Sequence, residues 1–276
     1  MSGKYRVRSI SLPSRSHPTT LTVEEELNKL KEWEALSTSG SICNGLLGLE
    51  DLYKYVDELL NLASTQEVIS RHENGKCHNE LLDGSVRLLD VCSIARDTML
   101  RFREQIQALQ SALRRRKGDS SIESSVATFT CFRKKMKKDA KKLIASLKQM
   151  DNRLGASSLL DQDQHLSAVI RVVREVNVIS CSIFQSLLLF MSTSSKPKQS
   201  RWSLVSKLMH KGVTTCEEKQ ENVNELEAVY ASEKVKITYK KLEALVISIE
   251  DLESCLERVF RVLIKTRASL LNVISL

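Results

Sequence analysis

Apolar side chains return at alternating steps of four and three along most of this chain. From Leu81 the series runs Leu81, Ser85, Leu88, Cys92, Ala95, Met99, Phe102, Ile106, Leu109 and Leu113, and nine of these ten positions are apolar or cysteine. A step pattern close to 3.6 residues places all of them on one face of a helix. The same device appears in Ile42, Leu46, Leu49, Tyr53, Val56 and Leu60, and in Ile122, Val126, Phe129, Arg133, Met136, Ala140, Leu143, Leu147 and Met150, where Arg133 alone departs. It returns in Leu242, Leu245, Ile249, Leu252, Leu256, Val259, Leu263, Thr266, Leu270 and Val273. A further apolar face contains Leu166, Ile170, Val173, Ile183, Phe184 and Leu187. Long helices are therefore predicted near 81–115, 120–152, 160–191 and 236–274. Thr22 and Glu25 have capping-box spacing, which starts a first helix carrying Leu27, Leu30 and Trp33. Residues 73–76, "ENGK", read as a turn and Gly118 as a stop. No strand-like run carries the turn chemistry to compete. The fold class is all-α, a bundle of long antiparallel helices with coiled-coil-like packing.

Breaks in the pattern give the organisation. Residues 1–21 hold Lys4, Arg6, Arg8 and Arg15, Pro13 and Pro18, and no acid. They are predicted to be a disordered basic arm, with one helical bundle domain over 22–276. A flexible basic linker is expected near 192–201 and an acid-rich, weakly ordered segment near 212–235. Val176 to Ser195 contains no charged residue, yet Asn177, Ser180, Ser182, Gln185 and Ser186 interrupt it. That favours a buried central helix over a membrane span.

Composition narrows the class. Hydrophobic residues make up 42% of the 276, enough for a core, and three prolines leave long helices uninterrupted. The formal charge of +8 suits an acidic partner or surface. Seven cysteines with no C-x-x-C pair, and no apolar leader after Met1, predict reduced thiols in a cytoplasmic protein.

Candidate chemistry is sparse. Asp83, Asp90 and Asp97 are seven residues apart and share a helix face. A carboxylate site would need a pocket or an Glu-x-x-His partner helix, and neither is visible. Arg87 and Arg101 stand at ion-pair spacing from these aspartates, so the face reads as a solvated surface stitched by same-helix pairs. Gly84 reads as a close approach of a neighbouring helix. His72, Cys77 and His78 match no zinc spacing, so no metal and no cofactor is expected. Cys92 and Cys255 fall on or beside apolar stripes and read as packing residues. No phosphate loop, dinucleotide fingerprint or nucleophile elbow occurs, which favours a non-enzymatic protein.

Three features carry functional readings. "RSISLP" places Arg8, Ser9, Ser11 and Pro13 in the form read by 14-3-3 proteins once Ser11 is phosphorylated; the alternative is a plain solvated tail. Between Arg114 and Lys148 lie twelve Lys or Arg and three acids. Lys134, Lys137, Lys138, Lys141, Lys142 and Lys148 fall opposite the apolar stripe, as a solvated face or as a contact for anionic lipid or another acidic surface. Nucleic acid is disfavoured, because no aromatics interleave with the charge. Trp202 sits in a basic amphipathic segment that either packs on the bundle or lies on a membrane.

The strings "RSISLPSRSHP", "LLDGSVRLLDVCS", "LRRRKG", "WSLVSKLM" and "DLESCLERVFRVLIKTRASLLN", in this order along nearly the whole chain, resemble the BYPASS-like proteins, a plant-specific family. The resemblance implies a regulatory role in root and shoot development, the namesake restraining production of a mobile root-derived signal. It implies protein partners and no defined catalytic activity, and it transfers no site residues. It also admits the chloroplast as an alternative location, which the acid-free start of the chain accommodates.

Overall fold

The computed structural model of the chain describes residues 18–33, 38–71, 75–114, 119–154, 164–192 and 239–275. They form seven helices: α1 (Pro18–Lys31), α2 (Ser39–Leu60), α3 (Ala63–Ser70), α4 (Gly75–Arg114), α5 (Asp119–Leu154), α6 (Gln164–Ser192) and α7 (Tyr239–Ser275). Among the described residues there is no strand. The chain is all-α, as its periodicity predicts. At 40 residues, α4 is about 60 Å long.

The stripes pack where the step pattern puts them. Leu88, Cys92, Ala95, Met99, Phe102 and Ile106 are fully buried, as are Ile42, Leu46 and Leu49 of α2 and Ile249, Leu252, Leu256 and Val259 of α7. One continuous apolar core links all seven helices. Phe102 of α4 stacks on Phe129 and Phe132 of α5, with ring centroids 5.9 and 6.1 Å away.

Cross-helix pairs fix the directions. Arg103 of α4 meets Glu250 and Glu253 of α7, Arg96 meets Glu257, and Ser85 meets Arg267, so these two helices run antiparallel. Glu50 and Asp57 of α2 and its C-terminal cap Asn61 meet Arg258, Lys265 and Ser269 of α7 in ascending order. Those two helices run parallel. Glu80 with Arg174, and Gly84 with Asn177, make α4 and α6 parallel as well. α4 thus runs against α7, while α2–α7 and α4–α6 lie side by side in the same sense.

Local starts differ from expectation at two places. The first helix begins at Pro18, drawing in residues 18–21 that the sequence assigns to the arm, and Thr22 is not its cap. Proline is preorganised for the first helical position, and Thr22 Oγ1 instead donates to the Pro18 carbonyl at 3.2 Å. Gly75 and Lys76, predicted as a turn, already belong to α4. The extra turn brings Glu80 to Arg174 at 2.8 Å. The short α3 has no counterpart in the sequence reading; eight residues with only Thr65 and Ile69 buried are too few to show a period.

The uncharged stretch lies in α6, which is long and apolar enough to cross a membrane by length and composition. Here it packs within the bundle: Val176, Cys181, Ile183, Phe184, Leu187 and Leu188 are buried. Its polar interruptions are used. Ser180 shares a 3.1 Å hydrogen bond with Tyr53 of α2 and donates to the Val176 carbonyl at 2.6 Å. Gly84 does admit a neighbour: an added Cβ would stand 3.1 Å from Asn177 Nδ2.

Candidate functional site

The aspartate face of α4 is the first test. Asp83, Asp90 and Asp97 are all exposed. The same-helix ion pairs expected with Arg87 and Arg101 do not close among the described residues. Other α4 arginines reach across to α7 instead, Arg96 to Glu257 at 2.7 Å and Arg103 to Glu253 at 3.3 Å. Arg96 also lies over the Phe260 ring, 4.3 Å from its centre. Exposed same-helix pairs of the Asp83–Arg87 kind gain little in water, so their absence costs little.

The buried charge lies elsewhere, between α2 and α7. Glu50 and Asp57 are seven residues apart on α2, with side chains 9% and 6% exposed. Arg258 and Lys265, also seven apart, answer them from α7: Arg258 Nε at 2.6 Å from Glu50 and Lys265 Nζ at 3.0 Å from Asp57. Ser269 Oγ donates to Asp57 at 2.6 Å, and Lys54 adds a second cation to Glu50 at 2.9 Å. Both carboxylates are buried with cations within 3.0 Å, although Glu50 Oε2 gains no hydrogen bond among the described residues, and the row holds the two helices in register. Sequence reasoning missed it, although the signal existed: Glu50 and Asp57 follow directly after stripe residues Leu49 and Val56, and the cations repeat at the same interval.

Thiols and the metal trio separate similarly. Cys92 is buried on its stripe, its Sγ–H pointing to the Leu256 carbonyl at 3.6 Å, and burial pushes its pKa up to about 12. That makes it a packing residue. Cys255 is buried beside Cys43 of α2. The side chains of His72 and Cys77 lie outside the described residues, and among the described residues no three His, Cys, Asp or Glu gather as a metal site.

The basic face of α5 is assembled as its spacing predicts. Phe129, Met136, Ala140, Leu147 and Met150 are buried, Arg133 is half-buried, and Lys134, Lys138, Lys141, Lys142 and Lys148 are exposed on the outer side. Lys137 is half-buried and titrates below an ordinary lysine, first through burial and then through repulsion by Lys141 and Arg133. Asp139 approaches Lys142 at 3.6 Å. Among the described residues no ion pair reaches Lys134, Lys138, Lys141 or Lys148. Lys135 leads from this face into an open groove of about 340 Å³ between α4, α5 and α6. Phe132, Met136, Leu188 and Met191 floor the groove, and Arg101, Glu104 and Asp139 share its rim with Lys135. Arg8, Ser9, Ser11, Pro13 and Trp202 lie outside the described residues.

The family model described as Protein BPS1 matches residues 45–273. The chain belongs to this family, in agreement with the BYPASS-like resemblance of its sequence strings, and the membership points to a regulator of plant development. No curated protein and no solved structure matches the chain.

Proposed function

We propose that the protein is a non-enzymatic regulatory adaptor in plant root and shoot development, working in the cytoplasm through protein contacts, and that an acidic partner docks on the outer face of α5. The charge balance of that face carries the reading. Five exposed lysines, Lys134 to Lys148, extend over about 21 Å with Asp139 the one acid between them. Like charges held on one rigid face repel, and an acidic surface relieves that repulsion while steering the encounter.

Anionic lipid would meet the same cations, and a peripheral membrane protein is the rival reading. The protein partner is favoured because none of the large exposed apolar residues among the described side chains lies on α5. Interfacial helices ordinarily insert such residues. Proximity labelling in root cells tests the proposal, with the full chain compared with a variant carrying Lys134, Lys138, Lys141, Lys142 and Lys148 as Gln. The variant should keep its helix content and lose a defined set of labelled proteins. An unchanged set contradicts the reading, and loss of co-sedimentation with anionic liposomes alone transfers it to lipid.

The amino-terminal motif supplies a separable contact in the same reading. Phosphate on Ser11 adds about two negative charges, which an arginine cluster of a 14-3-3 protein holds bidentately, and Pro13 turns the chain out of the groove. A phosphopeptide spanning Lys4 to Pro18 should bind at micromolar Kd, about −8 kcal/mol. The unphosphorylated peptide, and a phosphopeptide with Arg8→Ala, should bind far more weakly.

A further inference from the structure

Two thiols meet across the parallel α2–α7 pair. The Cys43 and Cys255 thiols stand within interaction distance of each other. The register of the two helices places them there independently: fourteen residues further along both, Ser269 donates to Asp57 at 2.6 Å. Fourteen residues is close to four turns, so two parallel helices return the same faces to each other after that interval. Cys43 is 9% and Cys255 8% exposed, at the edge of the core. A molecule as small as a peroxide can reach such a site, whereas Cys92 is fully enclosed.

We propose that Cys43 and Cys255 are a modification site, closing an intramolecular disulfide between α2 and α7 when the protein meets hydrogen peroxide. Cys255 is the attacking sulfur. The neighbouring Cys43 thiol and, to a lesser degree, the Arg258 cation favour its thiolate, while burial and, more weakly, Asp251 and Glu50 oppose it. The thiolate attacks one peroxide oxygen, the O–O bond breaks, and the departing hydroxide takes up a proton to leave as water. Cys255 is then a sulfenic acid. The Cys43 sulfur attacks the Cys255 sulfur, the S–O bond breaks, and the oxygen leaves as a second water carrying the Cys43 proton. Two thiols are oxidised by two electrons and one peroxide is reduced to two waters.

The bond would tie helices that are otherwise joined by Glu50–Arg258 and Asp57–Lys265. It closes a loop of most of the chain, and so restricts the unfolded chain strongly. The inference is independent of the lysine face of α5, and so is its test.

The full chain is treated with hydrogen peroxide, alkylated, digested without reduction and mapped by mass spectrometry. The expected product is a peptide pair joined through Cys43 and Cys255, with a melting temperature several degrees higher that returns to its starting value on adding dithiothreitol. Cys43→Ser and Cys255→Ser should each abolish both effects, and Cys131→Ser, at an exposed position on α5, should leave both. Cross-links that avoid this pair overturn the proposal, as does a sulfinic or sulfonic Cys255 beside a reduced Cys43. Mapping of the unmutated chain decides the matter even where a serine variant fails to fold.

Discussion

Ser269 of α7 donates a 2.6 Å hydrogen bond to Asp57 of α2, a carboxylate whose side chain is only 6% exposed. The bond joins residues more than two hundred positions apart and fixes the parallel register of the two helices. Lys265 completes the site from solvent, 73% exposed. The two contacts should therefore be worth different amounts. Asp57→Ala leaves the Ser269 hydroxyl proton without its acceptor, although Asn61 Nδ2 still donates to Ser269 Oγ, and should cost about 1–3 kcal/mol in urea denaturation. Lys265→Ala removes a solvent-screened charge and should cost less than about 1 kcal/mol. Equal losses would assign the register to the ion pair instead.

The glycines divide by what surrounds them. Gly84 faces Asn177 of α6, and Gly48 faces Leu30 of α1, where an added Cβ would lie 2.7 Å from the Leu30 Cδ1. Gly40 meets nothing within 4 Å. Gly84→Leu should destabilise by about 1–3 kcal/mol through overpacking. Gly40→Ala should be neutral or stabilising by up to about 1 kcal/mol, because only helix propensity changes. Thermal melts of the two variants read both signs directly.

Core and surface positions two residues apart on α4 make a sharper pair. Leu88 is fully buried and Asp90 exposed. Leu88→Asp places an unpaired carboxylate in the core at a cost of several kcal/mol, and about the same is expected of Leu252→Asp on α7. Asp90→Asn should change stability by at most about half a kcal/mol. Circular dichroism during denaturation should rank them in that order.

The period of four and three was enough to place every long helix and its buried face, because burial of one stripe per helix is what those residues encode. Helix directions were not legible. They depend on which non-consecutive helices meet, and the matched intervals of Glu50 and Asp57 with Arg258 and Lys265 become meaningful only once α2 and α7 are known to touch. The α5 lysine face was legible because it needs only the position of residues around one helix. The aspartate face of α4 was correctly read as solvated, but the same-helix pairs of Arg87 and Arg101 do not close, and the pairs that Arg96 and Arg103 make with α7 could not be read from spacing within one helix. The Cys43–Cys255 contact was invisible for the same reason as the directions.

Glu253 gives a pH dependence of predictable sign. Burial raises its pKa above the ordinary carboxylate value of 4.5 and Arg103 only partly offsets this. Its Oε1 is buried without a hydrogen-bond partner among the described residues. The folded chain therefore holds this proton more readily than the unfolded chain does. Its contribution to stability must fall as pH rises from the unfolded value through the folded one. Glu253→Gln removes that dependence. The stability of the variant relative to the wild type should increase between about pH 4 and about pH 7, and a decrease across that window would mean that the Arg103 contact outweighs desolvation.

The claim that α5 is the docking face is tested most directly by a photo-crosslinking residue placed at Lys138 in the full chain, expressed in root cells, with the same residue at Ile247 as the comparison. Ile247 is 57% exposed on α7. Irradiation should join Lys138 to a distinct acidic protein in an adduct that disappears when Lys134, Lys141, Lys142 and Lys148 are changed to Gln, while Ile247 yields none. Lipid adducts alone at Lys138, or the same protein captured equally from both positions, would contradict the account.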